Sequence, residues 1–174
     1  MKRYIFIVLL FLLAVILVGV FTGLNSENTT FQSQANSSQS TLESAYQDVQ
    51  WGLNVQKNMK ILKSDFDNIS SATNKSDYNA LAVAAQYEVN NTQNAIEDND
   101  QYKVSPQLQE PQKEWRAALQ DYNSAGKFLM EGANEAKSGR NGFGSFQKAA
   151  GQSSSATAHL KKASEALGIK VSLN

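Results

Sequence analysis

The chain has 174 residues with 16 basic and 16 acidic side chains, one histidine and no cysteine. The lack of cysteine excludes a disulfide framework, haem attached through C-x-x-C-H and any thiolate metal site, so a folded domain must rest on apolar packing. Setting aside Lys2 and Arg3 leaves 14 basic against 16 acidic residues, which offers no electrostatic footprint for a nucleic-acid partner.

Tyr4 to Leu24 reads YIFIVLLFLLAVILVGVFTGL, an apolar run with no charge inside it. As a helix it would be about 31 Å long, a match for the roughly 30 Å hydrocarbon core of a bilayer. Lys2 and Arg3 precede it, and a positive flank stays cytoplasmic. The expected layout is therefore a cytoplasmic stub at 1–3, a single-pass signal anchor at 4–24 and an extracytoplasmic remainder at the cell membrane. A cleaved secretory signal would have a shorter apolar region and a small-x-small cleavage site. The candidate sites here are poor, since Phe21 stands two before Gly23 and Leu24 two before Ser26, so retention of the anchor is favoured. Gly19 and Gly23 form a G-x-x-x-G, a spacing that lets two membrane helices approach closely, and they are candidates for anchor dimerisation.

Residues 25–40, NSENTTFQSQANSSQS, hold two clearly apolar side chains, Phe31 and Ala35, and read as a polar stalk. A flexible stretch of that length spans roughly 20 to 24 Å. Ser40-Thr41-Leu42-Glu43 has the S-x-x-E pattern of a capping box, which opens a first helix. Leu42, Tyr46, Val49 and Leu53 make one stripe along it, and Val55, Met59, Leu62, Phe66 and Ile69 a second. Two such stripes predict one wide apolar face suited to a bundle.

Asn74-Lys75-Ser76-Asp77 supplies turn and cap residues, and Tyr78, Leu81, Ala85, Val89, Thr92 and Ile96 stripe a second helix. It should fade between Asn99 and Val104 ahead of Ser105-Pro106. Glu97, Asp98 and Asp100 oppose the helix dipole there, which predicts one further turn towards Lys103. A third helix starts between Pro106 and Pro111, carries Leu108, Trp115, Leu119, Tyr122, Ala125, Leu129, Ala133 and Ala136, and stops at Ser138-Gly139. The glycines of 139–144 predict a tight turn. A fourth helix follows with Phe143, Phe146, Ala150, Ser153, Ala156, Leu160, Ala163 and Leu167, and ends at Gly168. Four helices of about 25 to 30 residues with short connections predict an all-α fold, an antiparallel up-down four-helix bundle over 41–168 with a tail at 169–174.

Five N-x-[ST] triplets begin at Asn28, Asn36, Asn68, Asn74 and Asn90, glycan acceptor candidates in an exported chain, though so much Asn, Ser and Thr also produces such triplets by chance. Several segments carry a resemblance: Y-N-A-L at Tyr78 to Leu81, the Gln86-Tyr87 pair, T-Q-N-A-I at Thr92 to Ile96, V-S-P-Q-L at Val104 to Leu108 and D-Y-N-S-A-G at Asp121 to Gly126. Together they resemble a group of uncharacterised archaeal surface proteins, each a membrane helix followed by a helical domain. The resemblance covers about a third of the chain. It implies an archaeal origin and an exported helical domain, and brings neither an activity nor site residues.

The inventory for catalysis is thin. His159 lies off the apolar stripe beside Lys161 and Lys162 and reads as solvated rather than as a ligand or base. A two-metal bundle takes a Glu-x-x-His pair from each of two helices, which one histidine cannot supply, and position 156 is alanine. The acids around Glu97 lack the calcium-loop pattern, and the glycines near Gly142 lack the strand and spacing of a phosphate loop. No cofactor, metal site or catalytic residue is therefore expected. Trp51, Val83, Tyr87 and Phe128 fall off or at the edge of their stripes; if exposed, they would form a partner surface. The alternative, which is preferred, is that Trp51 extends the second stripe of its helix and the others pack at helix seams. The expected function is that of a non-enzymatic, membrane-anchored scaffold, accessory subunit or envelope interaction protein with a protein partner or self-association. The alternative is a ligand-sensing ectodomain resembling chemoreceptor or sensor-kinase bundles, signalling through a membrane partner.

Overall fold

The computed structural model describes residues 39–167, and side chains from residue 45 onward. All of the regular structure among these residues is helical: α1 at Gln39–Asn74, α2 at Tyr78–Asp100, a single 3-10 turn at Pro106–Leu108, α3 at Gln109–Lys137 and α4 at Phe143–Ala166. The anchor at 4–24, Gly19, Gly23, residues 25–38 of the stalk and the tail lie outside the described residues, whereas Gln39 and Ser40, expected to end the stalk, already belong to α1, so Ser40 stands inside the helix instead of capping it. Among those described, no helix is long and apolar enough to cross a membrane.

Successive helices run antiparallel, as their cross-contacts show. Trp51 of α1 meets Asn99 of α2 while Asp65 meets Asn91. Arg116 of α3 meets Asp100 while Asn123 meets Thr92. Glu114 of α3 meets His159 of α4 while Glu135 meets Ser145. Extensive backbone approach joins α1 to α2, α2 to α3 and α3 to α4. Side chains draw the outer helices in further: the Phe66 and Tyr122 rings of α1 and α3 lie 5.0 Å apart, and Tyr78 of α2 stacks with Phe146 of α4 at 6.5 Å.

The ends of the helices follow local chemistry. Asp77 caps α2 by accepting from the backbone amides of Asn79 and Ala80 at 3.1 and 3.0 Å. α1 and α3 end in the same way. The amide of Asp77 returns to the Ala72 carbonyl and that of Arg140 to the Glu135 carbonyl, the six-to-one bond of a Schellman closure. The left-handed position is Ser76 (φ 53°) in the first and Gly139 (φ 72°) in the second; glycine adopts it without steric cost. α2 does not take the further turn expected towards Lys103, since it closes at Gln101. Neighbouring helices answer the acids at its end instead: Arg116 lies 2.8 Å from Asp100, and Asn54 donates to Asp98 at 3.1 Å.

The core is small-residue rich on the α3–α4 seam. Gly142 at the N-cap of α4 and Ala149, Ala156 and Ala163 within it recur every seventh residue and are all buried, returning to one face as a heptad does. Ala118, Ala125 and Gly132 do the same on α3. A side chain at Gly142 would collide with the Gly132 carbonyl oxygen, so the two backbones can meet there only through glycine.

The structure corrects the expected face of α1. Its buried residues are Trp51, Asn58, Leu62, Asp65, Phe66, Ile69, Ala72 and Thr73, so the second stripe lies in the core, with Val55 and Met59 packed against it. Tyr46, Val49 and Leu53 are instead 62%, 59% and 56% exposed. At about 100° per residue the centre of that trio lies roughly 180° from the buried row, so the two stripes do not merge into one wide face. α1 is also longer than expected; its 36 residues span about 54 Å against about 35 Å for the 23 of α2. Because Asn99 sits opposite Trp51, the first turns of α1 extend past the end of α2, where the 101–108 segment reaches back with the Ser105 amide on Asp48 Oδ1 at 2.7 Å.

Candidate functional site

The four side chains proposed as a partner surface divide. Trp51 is not exposed: it is 5% accessible, and its indole N–H donates to Asn99 Oδ1 at 2.9 Å. Phe128 is half-buried against the core edge, with Lys148 Nζ 5.4 Å from its ring centroid, a cation–π distance. Val83 and Tyr87 are 57% and 58% exposed. They lie four residues apart on α2, roughly 140° from its buried row.

The acceptor triplets are placed unequally. Asn28 and Asn36 lie outside the described residues. Asn68, Asn74 and Asn90 are exposed. In the Asn90 triplet, however, Thr92 is fully buried and gives its hydroxyl to the Glu88 carbonyl at 2.6 Å. Asn74 stands at the last position of α1, beside a turn.

The acids Glu97, Asp98 and Asp100 do not converge. Glu97 accepts from Gln93 at 2.8 Å on its own helix, Asp98 faces Asn54 and Lys57 of α1, and Asp100 faces Arg116 of α3. No group of three or more His, Asp or Glu side chains among the described residues could hold a metal ion.

The polar cluster at the middle of the molecule was not anticipated. Glu88 of α2 is 1% exposed, and its Oε2 has no hydrogen-bond partner. It sits in a notch that Gly126 of α3 leaves open: a Cβ there would stand 3.1 Å from Glu88 Oε2 and 3.2 Å from the Ala85 carbonyl oxygen. Burial in this apolar seam pushes the Glu88 carboxyl well above its ordinary range, and the charge of Asp65 on α1 adds to the rise. Asp65 is raised too, by burial, while both its oxygens accept from the Asn91 amide at 3.1 and 2.8 Å. Beside them Asn123 donates to Thr92 Oγ1 at 3.0 Å and to the Val89 carbonyl at 2.8 Å. The Tyr122 hydroxyl is buried near Thr157 without a hydrogen-bond partner of good geometry, and Thr157 gives its own hydroxyl to the Ser153 carbonyl at 2.9 Å. Burial raises this phenol, so it stays neutral.

The sequence did carry a signal for Glu88. Leu81, Ala85, Glu88, Thr92, Ala95 and Asn99 recur at spacings of four and three, and all are buried. A stripe that takes the apolar Val89 in place of Glu88 runs one position beside it.

His159 also differs from its expectation as a solvated side chain. It lies at the α3–α4 seam, 28% exposed, with Nδ1 2.6 Å from Glu114 Oε2 and Nε2 3.8 Å from Asp121 Oδ2. The His159 hydrogen bond holds the Glu114 carboxyl below its usual range, helped by the charge of Lys162. Its place three residues after Ala156 puts it at the edge of the buried row of α4, and its partners come from another helix, where a single-helix pattern does not reach.

No protein-family model, curated protein or solved structure matches this chain.

Proposed function

We propose that the chain is a membrane-anchored, extracytoplasmic helical domain, an N-terminal transmembrane helix followed by an antiparallel up-down bundle, that acts through protein contacts rather than catalysis. The observation that carries this reading is the separation of its side chains. The titratable groups Glu88, Asp65 and Tyr122 are sealed between helices. The large apolar groups Val83 and Tyr87 on α2, with Tyr46, Val49 and Leu53 on α1, point outward on faces the fold does not use. Exposed tyrosine with neighbouring aliphatic surface suits a protein partner, since it contributes large contact area with few rotatable bonds. The uncharged run from Tyr4 to Leu24 behind a basic flank supports the anchor. The resemblance of Tyr78 to Gly126 to archaeal membrane-anchored surface proteins supports export.

The test is cross-linking on intact cells expressing the tagged full-length chain, with an impermeant reagent and mass spectrometry of the adducts. The expected result is retention in the membrane fraction, with labelling of the helical region from outside and protein adducts. Release into the soluble fraction without detergent, or turnover of a substrate by the purified chain, would overturn the reading.

A further inference from the structure

The exposed trio on α1 has the spacing of a coiled-coil seam. Tyr46, Val49 and Leu53 are separated by three and four residues, and Leu42 continues the same alternation one step earlier in the sequence. Trp51, on the opposite side of the helix, is committed to Asn99, so the bundle uses one face of α1 and leaves the other free. The flanking positions that decide pairing in a coiled coil are Glu43, Ala45, Gln50 and Gly52. A second copy laid parallel would set Ala45 against Gln50, with no like charges opposed. Nothing lies within 4 Å of where a Gly52 Cβ would stand, so the flank is open to a close neighbour. The seam stops where charge begins, because the next two positions of the alternation are Gln56 and Lys60.

We propose that this face is covered by a second copy of the chain, the first turns of two α1 helices packing in parallel just above the membrane. The inference rests on the anchored reading, because two anchors in one bilayer fix the parallel orientation and supply the local concentration. Three or four side chains per copy bury far less than the roughly 1,200 Å² of a stable free interface, so the contact depends on tethering in the manner of a linked second site. A helix lying on lipid headgroups would present lysine and arginine beside its apolar stripe, whereas the residues flanking this one are Glu43, Gln47, Asp48 and Gln50.

The chain has no cysteine, so single substitutions report contacts without background. Val49→Cys and Leu53→Cys are to be made in the full-length chain, oxidised in native membranes and compared with Val83→Cys, which is equally exposed at the far end of the bundle. The expected result is a disulfide-linked homodimer from both α1 positions and about tenfold less from Val83→Cys. Adding Leu53→Lys to the Val49→Cys chain should reduce the dimer to the same low level. A membrane-retained chain that gives no dimer at either α1 position, equal yields at all three positions, or adducts only to a different protein would overturn the proposal and leave the anchored reading standing. A chain released without detergent would overturn both.

Discussion

Replacing Glu88 with glutamine tests the acid at the centre of the molecule. The side chain keeps its shape and loses its ability to ionise. Because burial raises its folded-state value well above the ordinary 4.5, the stability it contributes is fully present below about pH 4.5 and is lost as the pH rises from there through the raised value. Within that window the unfolded chain carries the charge and the folded one does not. Each pH unit then costs about 1.4 kcal/mol, the worth of one proton. For a helical unit of this size that is a fall in melting temperature of about 5 °C per pH unit. Glu88→Gln should therefore flatten the curve by that slope and be more stable than the parent at pH 7, with a smaller difference at pH 5. Asp65 titrates with the same sign, so some slope remains in the variant. The assay is urea or thermal unfolding followed by circular dichroism between pH 4.5 and pH 8. Parallel profiles for parent and variant would refute the burial argument, as would a glutamine variant that loses stability equally at every pH.

Three further outcomes follow from named contacts. Trp51→Phe removes the indole donor and leaves the buried Asn99 carbonyl without it, which should cost about 1–3 kcal/mol in unfolding experiments; a neutral result would mean the hydrogen bond is not maintained. Gly142→Ala places a methyl against the Gly132 carbonyl, where only backbone can yield, whereas Gly151→Ala meets nothing within 4 Å. The first should destabilise by about 1–3 kcal/mol and the second stabilise by about 0.5–1 kcal/mol, so similar effects would refute the close α3–α4 approach. His159→Leu takes away the chief cause of the lowered Glu114 value, the hydrogen bond to its carboxylate. Stability contributed by Glu114 is present above about pH 4.5 and lost as the pH falls through its depressed folded value, so the acid limb of the unfolding profile should shallow in this variant, and an unchanged limb would refute the pairing.

Much of the fold could be read from residue order because its boundaries are local events. Asp77 as a cap, Pro106 and Pro111 around the start of α3 and Gly139 after its end each act within one turn of chain. The face of α1 was misread for a different reason. Tyr46, Val49 and Leu53 are as apolar and as helically spaced as a core stripe, and periodicity records that a face is apolar without recording what covers it. Glu88, Asp65 and Asn58 failed in the opposite direction. They occupy buried positions of otherwise clear rows, yet a rule that counts apolar residues passes over a carboxyl whose burial depends on a glycine on a different helix. His159 shows the same limit, since Glu114 and Asp121 are brought to it only by the packing of α3 on α4.

The buried polar residues also bear on why these helices settle in one register. A seam of alanine and glycine is nearly self-similar: Ala149, Ala156 and Ala163 present the same surface every seven residues, and sliding α4 by a heptad would substitute one small contact for another. Polar pairs break that degeneracy, because a buried donor or acceptor displaced from its partner loses about 1–3 kcal/mol. Trp51 with Asn99 and Asp65 with Asn91 fix α1 on α2 at two heights. Asn123, on Thr92 and the Val89 carbonyl, fixes α2 on α3. Ser145 with Glu135 and His159 with Glu114 fix α3 on α4 near its two ends. Glu88 is the exception that sharpens the point. Its Oε2 finds no donor, so it contributes little to register by attraction, but any slip that lost the notch at Gly126 would press the carboxyl against a side chain, and the register is held there by exclusion.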